Sequence, residues 1–230
     1  MKNILLIGGS YGIGLAIAQQ LQSENNIYIA SRTNASLMGT NVTHIPFDAS
    51  TDTLDTSLLP AIIDGLVYCP GSINLRPFKG LKPESFEADM QINFINMIKV
   101  VQTVLPNLLA SSQSSIVLFS SVAASMGMPF HTSVAASKGA IEGFTKALAA
   151  EYAPKIRVNA IAPSLTDTPL ADKFLNNEQK KEKSAERHPL KRVGTADDIA
   201  QMACFLLSDQ SSWISGQIHH VDGGMSSLLV

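Results

Sequence analysis

The chain has 230 residues, of which 45% are hydrophobic, 16% charged and 6% aromatic. That is enough apolar material for one large core and too few charges for a disordered chain. A formal net charge of −2, from 17 basic and 19 acidic residues, provides no basic field for nucleic acid or an anionic membrane. Two cysteines, Cys69 and Cys204, exclude a disulfide scaffold and a multi-cysteine zinc site. The apolar run before Gly8 is too short for a signal-peptide core, and no run reaches the 18 uninterrupted apolar residues of a membrane span. The expectation is a cytoplasmic protein with no membrane partner.

In chain order, Ile4–Ile7 reads as a buried parallel strand that stops at Gly8-Gly9. Gly14–Leu21 follows as a helix, with Leu15, Ala18 and Leu21 near helical spacing. Ile27–Ala30, Val42–Phe47 and Leu66–Cys69 read as strands. The segment between Ala30 and Val42 is too short and polar for a crossover helix, and predicts a turn or a stub of helix. Phe86–Leu105 is a long helical pattern ended by Pro106; its stripe of Phe86, Met90, Phe94 and Met97 is core or subunit interface. Then come a strand at Ile116–Phe119, a helix at Ala135–Tyr152 that stops before Pro154, and a strand at Ile156–Ile161. A helix at Ala196–Leu207 carries Asp197 and Asp198 in its first turn, and Gly216–Val221 is the last strand. Cys204 sits on an apolar helix face as packing. This alternation predicts an α/β fold over 1–230: a single-domain, Rossmann-type, doubly wound parallel sheet with helices on both faces. The charged stretch Asp172–Arg187 is expected to be a mobile substrate loop.

Gly8-Gly9-Ser10-Tyr11-Gly12-Ile13-Gly14 joins the first strand to the first helix. Residues without Cβ let such a turn tighten and let backbone approach a pyrophosphate, while the helix N-terminus offers free N–H groups. The spacing Gly-x-x-x-Gly-x-Gly departs from G-x-G-x-x-G, so a plain strand–helix turn is the alternative. Ser10, Tyr11 and Ile13 belong to the same cradle. The second strand ends Ser31-Arg32, which offers a cation for a 2′-phosphate where an acidic residue would bind ribose hydroxyls. This points to NADP(H), against a merely solvated arginine. His219 and His220 are adjacent on a strand and face opposite ways, which argues against a metal site.

With these residues the chain resembles the short-chain dehydrogenase/reductase family along essentially its whole length. Gly8, Gly12 and Gly14 match the family's glycine turn, and Asp48 matches its adenine-contacting aspartate. Gly71 is what remains of an Asn-Asn-Ala-Gly strand end, here Tyr68-Cys69-Pro70-Gly71. Asn93, Ser121 and Lys138 match the catalytic asparagine, serine and lysine. Val158-Asn159-Ala160-Ile161-Ala162-Pro163 and Thr168-Pro169 match the nicotinamide-side loop, with Ser164 in place of a glycine. Gly216-Gln217 and His220-Val221-Asp222-Gly223-Gly224 match the C-terminal signature. By this resemblance, Pro163 and Thr168 join the cofactor-binding set, Lys138 holds the ribose, Ser121 holds the substrate oxygen and Asn93 a relay water.

One position departs from the pattern. The family places a tyrosine four residues before the lysine, so that both side chains share a helix face; here Val134 stands there, thirteen residues after Ser121. Losing a general acid typically costs 10²–10⁴ in rate. His131 is a substitute acid to weigh against a solvated loop histidine; Tyr68, at the carboxyl edge of its strand, is expected to pack beside the cofactor or in the core, and Ser133 to point elsewhere. The resemblance implies an NADP(H)-dependent reductase of a ketone or 3-oxoacyl-type carbonyl, acting on a small-molecule carbonyl or alcohol, with an atypical proton donor. It also implies a homo-oligomer, dimer or tetramer. The alternative is a catalytically impaired nucleotide-binding or structural subunit, paired in a hetero-oligomer with an active homologue.

Overall fold

The computed structural model describes residues 1–37 and 41–229. The first unit is strand β1 (Asn3–Ile7), helix α1 (Gly12–Leu21) and strand β2 (Asn26–Ser31). A 3₁₀ turn at Ala35–Leu37 is the expected stub, and β3 (Val42–Pro46) and β4 (Gly65–Tyr68) follow. Helix α2 (Pro83–Met90) passes through a π turn (Gln91–Ile95) into α3 (Asn96–Leu109). Next come β5 (Ser114–Phe119), α4 (Thr132–Tyr152), β6 (Ile156–Pro163) and the short strand β7 (Thr166–Asp167). Helices α5 (Asp172–Leu175) and α6 (Glu178–Glu186), strand β8 (Gly194–Thr195), helix α7 (Ala196–Leu207) and strand β9 (Ile218–Val221) complete the chain.

Seven strands form one parallel sheet in the order β3-β2-β1-β4-β5-β6-β9. Alternate residues face opposite ways, as the two-residue period of a strand requires. Leu5, Ile7, Leu66, Ile116 and Leu118 meet Met97, Val100, Val104 and Ile141 of α3 and α4. Ile4, Leu6, Val67 and Val117 meet Ile17, Ile199, Ala203 and Leu206 of α1 and α7. Each fully buried Leu or Ile contributes about 1.5–3 kcal/mol of burial free energy, and both faces are covered, so near-continuous apolar strands were the right signature.

Two expectations need correction. Pro106 does not end its helix: α3 continues to Leu109. Its ring removes one N–H, but Leu108 is fully buried, the Asn107 side chain donates to the Pro60 carbonyl at 2.8 Å and the Asn107 carbonyl accepts from Ile63 N–H. These contacts carry the chain one more turn. Asp172–Arg187 is not an open loop but holds α5 and α6, the latter N-capped by Asn177, whose side chain accepts from Lys180 N–H. The small parallel pair β7–β8 had no alternating pattern to announce it. By length and mean hydropathy (1.2) the run Pro83–Leu109 is long and apolar enough to cross a membrane; in the fold it buries Asp89, Asn93 and Met97 against the core.

Candidate active site

The strand order reverses between β1 and β4, and a cleft of about 410 Å³ opens at their carboxyl ends, where such sheets bind ligands. Its walls are the glycine turn, the β2 end with Arg32, Asp48 after β3, Cys69 and Gly71 after β4, and Thr168 and Leu170 after β7. All the sequence-predicted cofactor residues line it except Lys138 and Pro163. Pro163 ends β6, hydrogen-bonded beside Val221 of β9.

The turn is built for close backbone approach. Gly8 and Gly12 have φ of +79° and +57°, which residues with a Cβ rarely adopt. A Cβ on Gly14 would stand 2.7 Å from the Gly8 carbonyl oxygen and 2.8 Å from Gly9 Cα. Helix α1 starts after Tyr11 with no side-chain cap, so its first N–H groups have no side-chain acceptor and suit a phosphate. Arg32 is exposed at the far end of the cleft. Together these features fit a phosphorylated dinucleotide.

Lys138 lies under the cleft. It is 9% exposed, its Nζ donates to the Phe119 carbonyl at 2.8 Å, and a Cβ on Gly71 would stand 3.4 Å from it. Burial pulls its ammonium down to about 8, while Cys69 and Asp89 oppose that fall. Burial pushes the Cys69 thiol up to about 12. Asn93, fully buried in the π turn, accepts from Ser72 N–H at 3.1 Å and donates to the Ser72 hydroxyl and the Asp89 carbonyl, both at 2.9 Å. Its Oδ1 is 3.0 Å from a Cβ built on Gly71. Gly71 therefore brings Asn93 and Lys138 together.

Ser121 is half-buried at the end of β5, where its hydroxyl accepts from Ala123 N–H at 3.2 Å and caps a 3₁₀ turn. Val134 is 5% exposed on α4, one turn before Lys138. His131 is the residue preceding α4, with Nδ1 2.7 Å from the Pro129 carbonyl. If Nδ1 carries the proton of that bond, Nε2 is the basic nitrogen. Tyr68 is in the core, 2% exposed, with its hydroxyl donating to the Ile92 carbonyl at 3.4 Å and burial raising its pKa. Ser133 is also buried and donates to Asp89 rather than facing the cleft. His220 Nε2 lies 3.1 Å from the Ser125 hydroxyl. Among the described residues no group of three His, Cys, Asp or Glu side chains could hold a metal ion.

The segment beyond the cleft is tied to its rim. Lys173 of α5 donates to the Ile73 carbonyl at 2.6 Å and sits 4.9 Å from the Phe174 ring centre. Lys181 pairs with Asp167 at 2.8 Å. A second, smaller hollow of about 190 Å³ lies behind β7; in its wall the Ser164 hydroxyl meets Nε2 of the buried His188 at 2.8 Å. Nothing in the sequence pattern marked His188 or Asp89. Both are single polar residues whose burial depends on tertiary neighbours.

Comparison with known proteins places this geometry. A family model described as enoyl-(acyl carrier protein) reductase matches residues 8–226. The chain belongs to the short-chain dehydrogenase/reductase family of oxidoreductases. It is 38% identical over 164 residues to the 3-oxoacyl-[acyl-carrier-protein] reductase FabG of Thermotoga maritima, covering 71% of this chain and 66% of that one. It is 32% identical to the enzyme of the same name from Chlamydia trachomatis, covering 98% and 97%. A gluconate 5-dehydrogenase from Burkholderia cenocepacia, solved with NADP and tartrate, superposes with a TM-score of 0.89 at 26% identity, covering 99% and 96%.

Proposed function

We propose that the chain is an NADP(H)-dependent oxidoreductase that reduces a ketone or 3-oxoacyl-type carbonyl of a small molecule, with a proton donor other than tyrosine. The observation that carries this reading is the cleft at the sheet reversal, which combines the uncapped glycine turn with the exposed Arg32. NADP in the solved gluconate dehydrogenase and the reductase names of the relatives support it.

A reduced nicotinamide dinucleotide held in this cleft would supply the hydride. Arg32 would pair with a 2′-phosphate and the first turn of α1 would hold the pyrophosphate. Lys138, with Gly8, Gly12, Gly14, Ser10, Tyr11, Ile13, Asp48, Gly71, Pro163 and Thr168, keeps the dinucleotide in place. Ser121 donates a hydrogen bond to the substrate oxygen as negative charge develops there. Asn93, locked by three hydrogen bonds, holds its neighbours rigid. His131 is the proposed proton source at the entrance to α4, and α5–α6 forms the substrate-facing wall. Whole-chain similarity to reductases favours this reading over a non-catalytic subunit, and we place the protein in the cytoplasm as a homo-oligomer.

Titrating purified protein with NADPH and NADH, followed by nicotinamide fluorescence, tests the cofactor reading. NADPH is expected to bind more tightly, and Arg32→Ala to cost NADPH about 1.5–3 kcal/mol, roughly a factor of 10–100, while NADH binding stays level. Equal affinity for the two cofactors in the parent protein overturns it.

A further inference from the structure

Helix α2 carries a carboxylate with no access to solvent, Asp89. Its Oδ1 accepts from the Ser72 hydroxyl at 2.6 Å and the Asn74 amide at 2.7 Å, and its Oδ2 accepts from the Ser133 hydroxyl. A buried carboxylate is costly unless donors and a nearby positive charge offset the lost hydration. An apolar residue would pack α2 against α4 without that cost, so packing alone is a poor reason for an acid here.

The donors show what the acid joins. Ser72 and Asn74 belong to the loop after β4, whose Gly71 lines the cleft; Ser133 is on α4, next to Val134. Ser72 binds Asn93 twice, through its N–H and its hydroxyl, and Asn93 returns to the Asp89 main-chain carbonyl. Asp89, Ser72 and Asn93 thus close a ring, with α4 fastened to its outer edge. Lys138 lies one turn beyond Val134 on α4, and a Cβ built on Gly71 would stand 3.4 Å from its Nζ and 3.0 Å from the Asn93 Oδ1, which places the ammonium beside the same ring.

We propose that Asp89 is a positioning residue of this site: it clamps the Ser72–Asn74 loop and the Asn93 amide to α4, and it is the buried counter-charge of the Lys138 ammonium. The proposal rests on Lys138 belonging to the cofactor cleft, but its test reads the lysine with no cofactor present. Three titratable groups face this lysine's surroundings. Cys69, at the end of β4, is a thiol pushed up to about 12 and uncharged at neutral pH. Glu142, on α4 itself, is engaged by the Ser120 hydroxyl at 2.7 Å. Asp89, on α2, opposes the fall that burial imposes on the Lys138 ammonium. With valine at 134, the charge on Lys138 decides whether this part of the site carries an exchangeable proton.

The experiment is a pH titration of lysine Nζ and Cε resonances in isotopically labelled full-length protein, with Lys138 assigned by its loss in Lys138→Met. In the parent protein Lys138 is expected to be an ammonium at pH 7 and to titrate near 8. In the isosteric Asp89→Asn protein it is expected to titrate about one unit lower, and the alkaline limit of NADPH binding to move the same way. A purely structural Asp89 would change the melting temperature and leave the titration where it was. A Lys138 already neutral at pH 7 in the parent overturns the proposal, as does an unshifted titration in a folded Asp89→Asn protein. Where Asp89→Asn does not fold, the parent titration alone decides. Absence of NADPH binding with the Asp89–Lys138 coupling intact would sink the cofactor reading and leave this one standing.

Discussion

Replacing Gly14 by alanine tests the glycine turn at its tightest point. The new methyl would lie 2.7 Å from the Gly8 carbonyl oxygen, 2.8 Å from Gly9 Cα and 3.1 Å from the Cys69 sulfur, against the 3.5–4.0 Å at which non-bonded carbons rest. Two of the three partners are backbone, so no rotamer change relieves the clash and the turn itself must open. Overpacking of this kind costs about 1–3 kcal/mol. Better helix propensity returns up to about 1 kcal/mol, leaving a net loss of about 1–2 kcal/mol. For a chain of this size that lowers Tm by roughly 2–8 °C, read by thermal and urea unfolding. NADPH affinity should fall about tenfold or more, because the displaced N–H groups are those proposed to hold the phosphates. Gly143→Ala, on the exposed side of α4 with open space around it, is the matched control and should gain about 0.5–1 kcal/mol. A Gly14→Ala protein that melts at or above the parent temperature refutes the packing argument.

Val134→Tyr restores the missing acid one turn before Lys138, and NADPH oxidation with a 3-oxoacyl thioester should rise about 10²–10⁴-fold; no change would mean that other parts of the site are out of place. Lys138→Met leaves Asp89 without its counter-charge and should destabilise the fold at pH 7 by up to about 3 kcal/mol, weaken NADPH binding and change how stability depends on pH. The sign follows from the lowered lysine pKa: between about pH 8 and 10.5 the unfolded chain binds more protons, so parent stability rises there with pH. Denaturation curves of the methionine variant should lack that rise. Asp198 accepts two hydrogen bonds from Arg192, at 2.5 and 2.7 Å, and completes a capping box with Thr195; these donors, Arg192 first, hold its carboxyl well below the usual range. Asp198→Asn should cost about 1–2 kcal/mol at pH 7. Because the native carboxylate has the lower pKa, that difference should stay level above about pH 4 and shrink as pH falls further; a pH-independent difference would exclude the charge as its source.

The sheet could be read from the chain because its cause is local. Ile4–Ile7, Leu66–Cys69 and Ile116–Phe119 are short aliphatic runs bounded by glycine, serine or proline, and burial on both faces is the simplest environment that accepts them. The glycine turn and Arg32 were legible for the same reason: their neighbours in sequence are their neighbours in the cleft. Pro106 misled because a proline's local cost says nothing of the contacts that Asn107 and Leu108 make with residues some 45 positions away. Asp172–Arg187 misled because its charges were read as those of a loop, whereas Asn177 caps a helix whose exposed faces carry them. Asp89 left no trace in the pattern, since a single acid on an apolar helix looks like a solvated side chain until Ser72, Asn74 and Ser133 fold around it.

The π turn at Gln91–Ile95 has a consequence for how this region can change over generations. A turn that takes in one surplus residue rotates everything downstream by about 100° relative to an uninterrupted helix. Asp89 belongs to the phase before that rotation and Met97 to the phase after it, yet both face inward. Losing one residue between them would yield a smoother, better-bonded helix and would swing one of the two faces out of the interior. Substitutions can accumulate across Pro83–Leu109 one at a time, but changes of length are penalised at once. In this stretch the count of residues is constrained as well as the identities of Asp89 and Asn93.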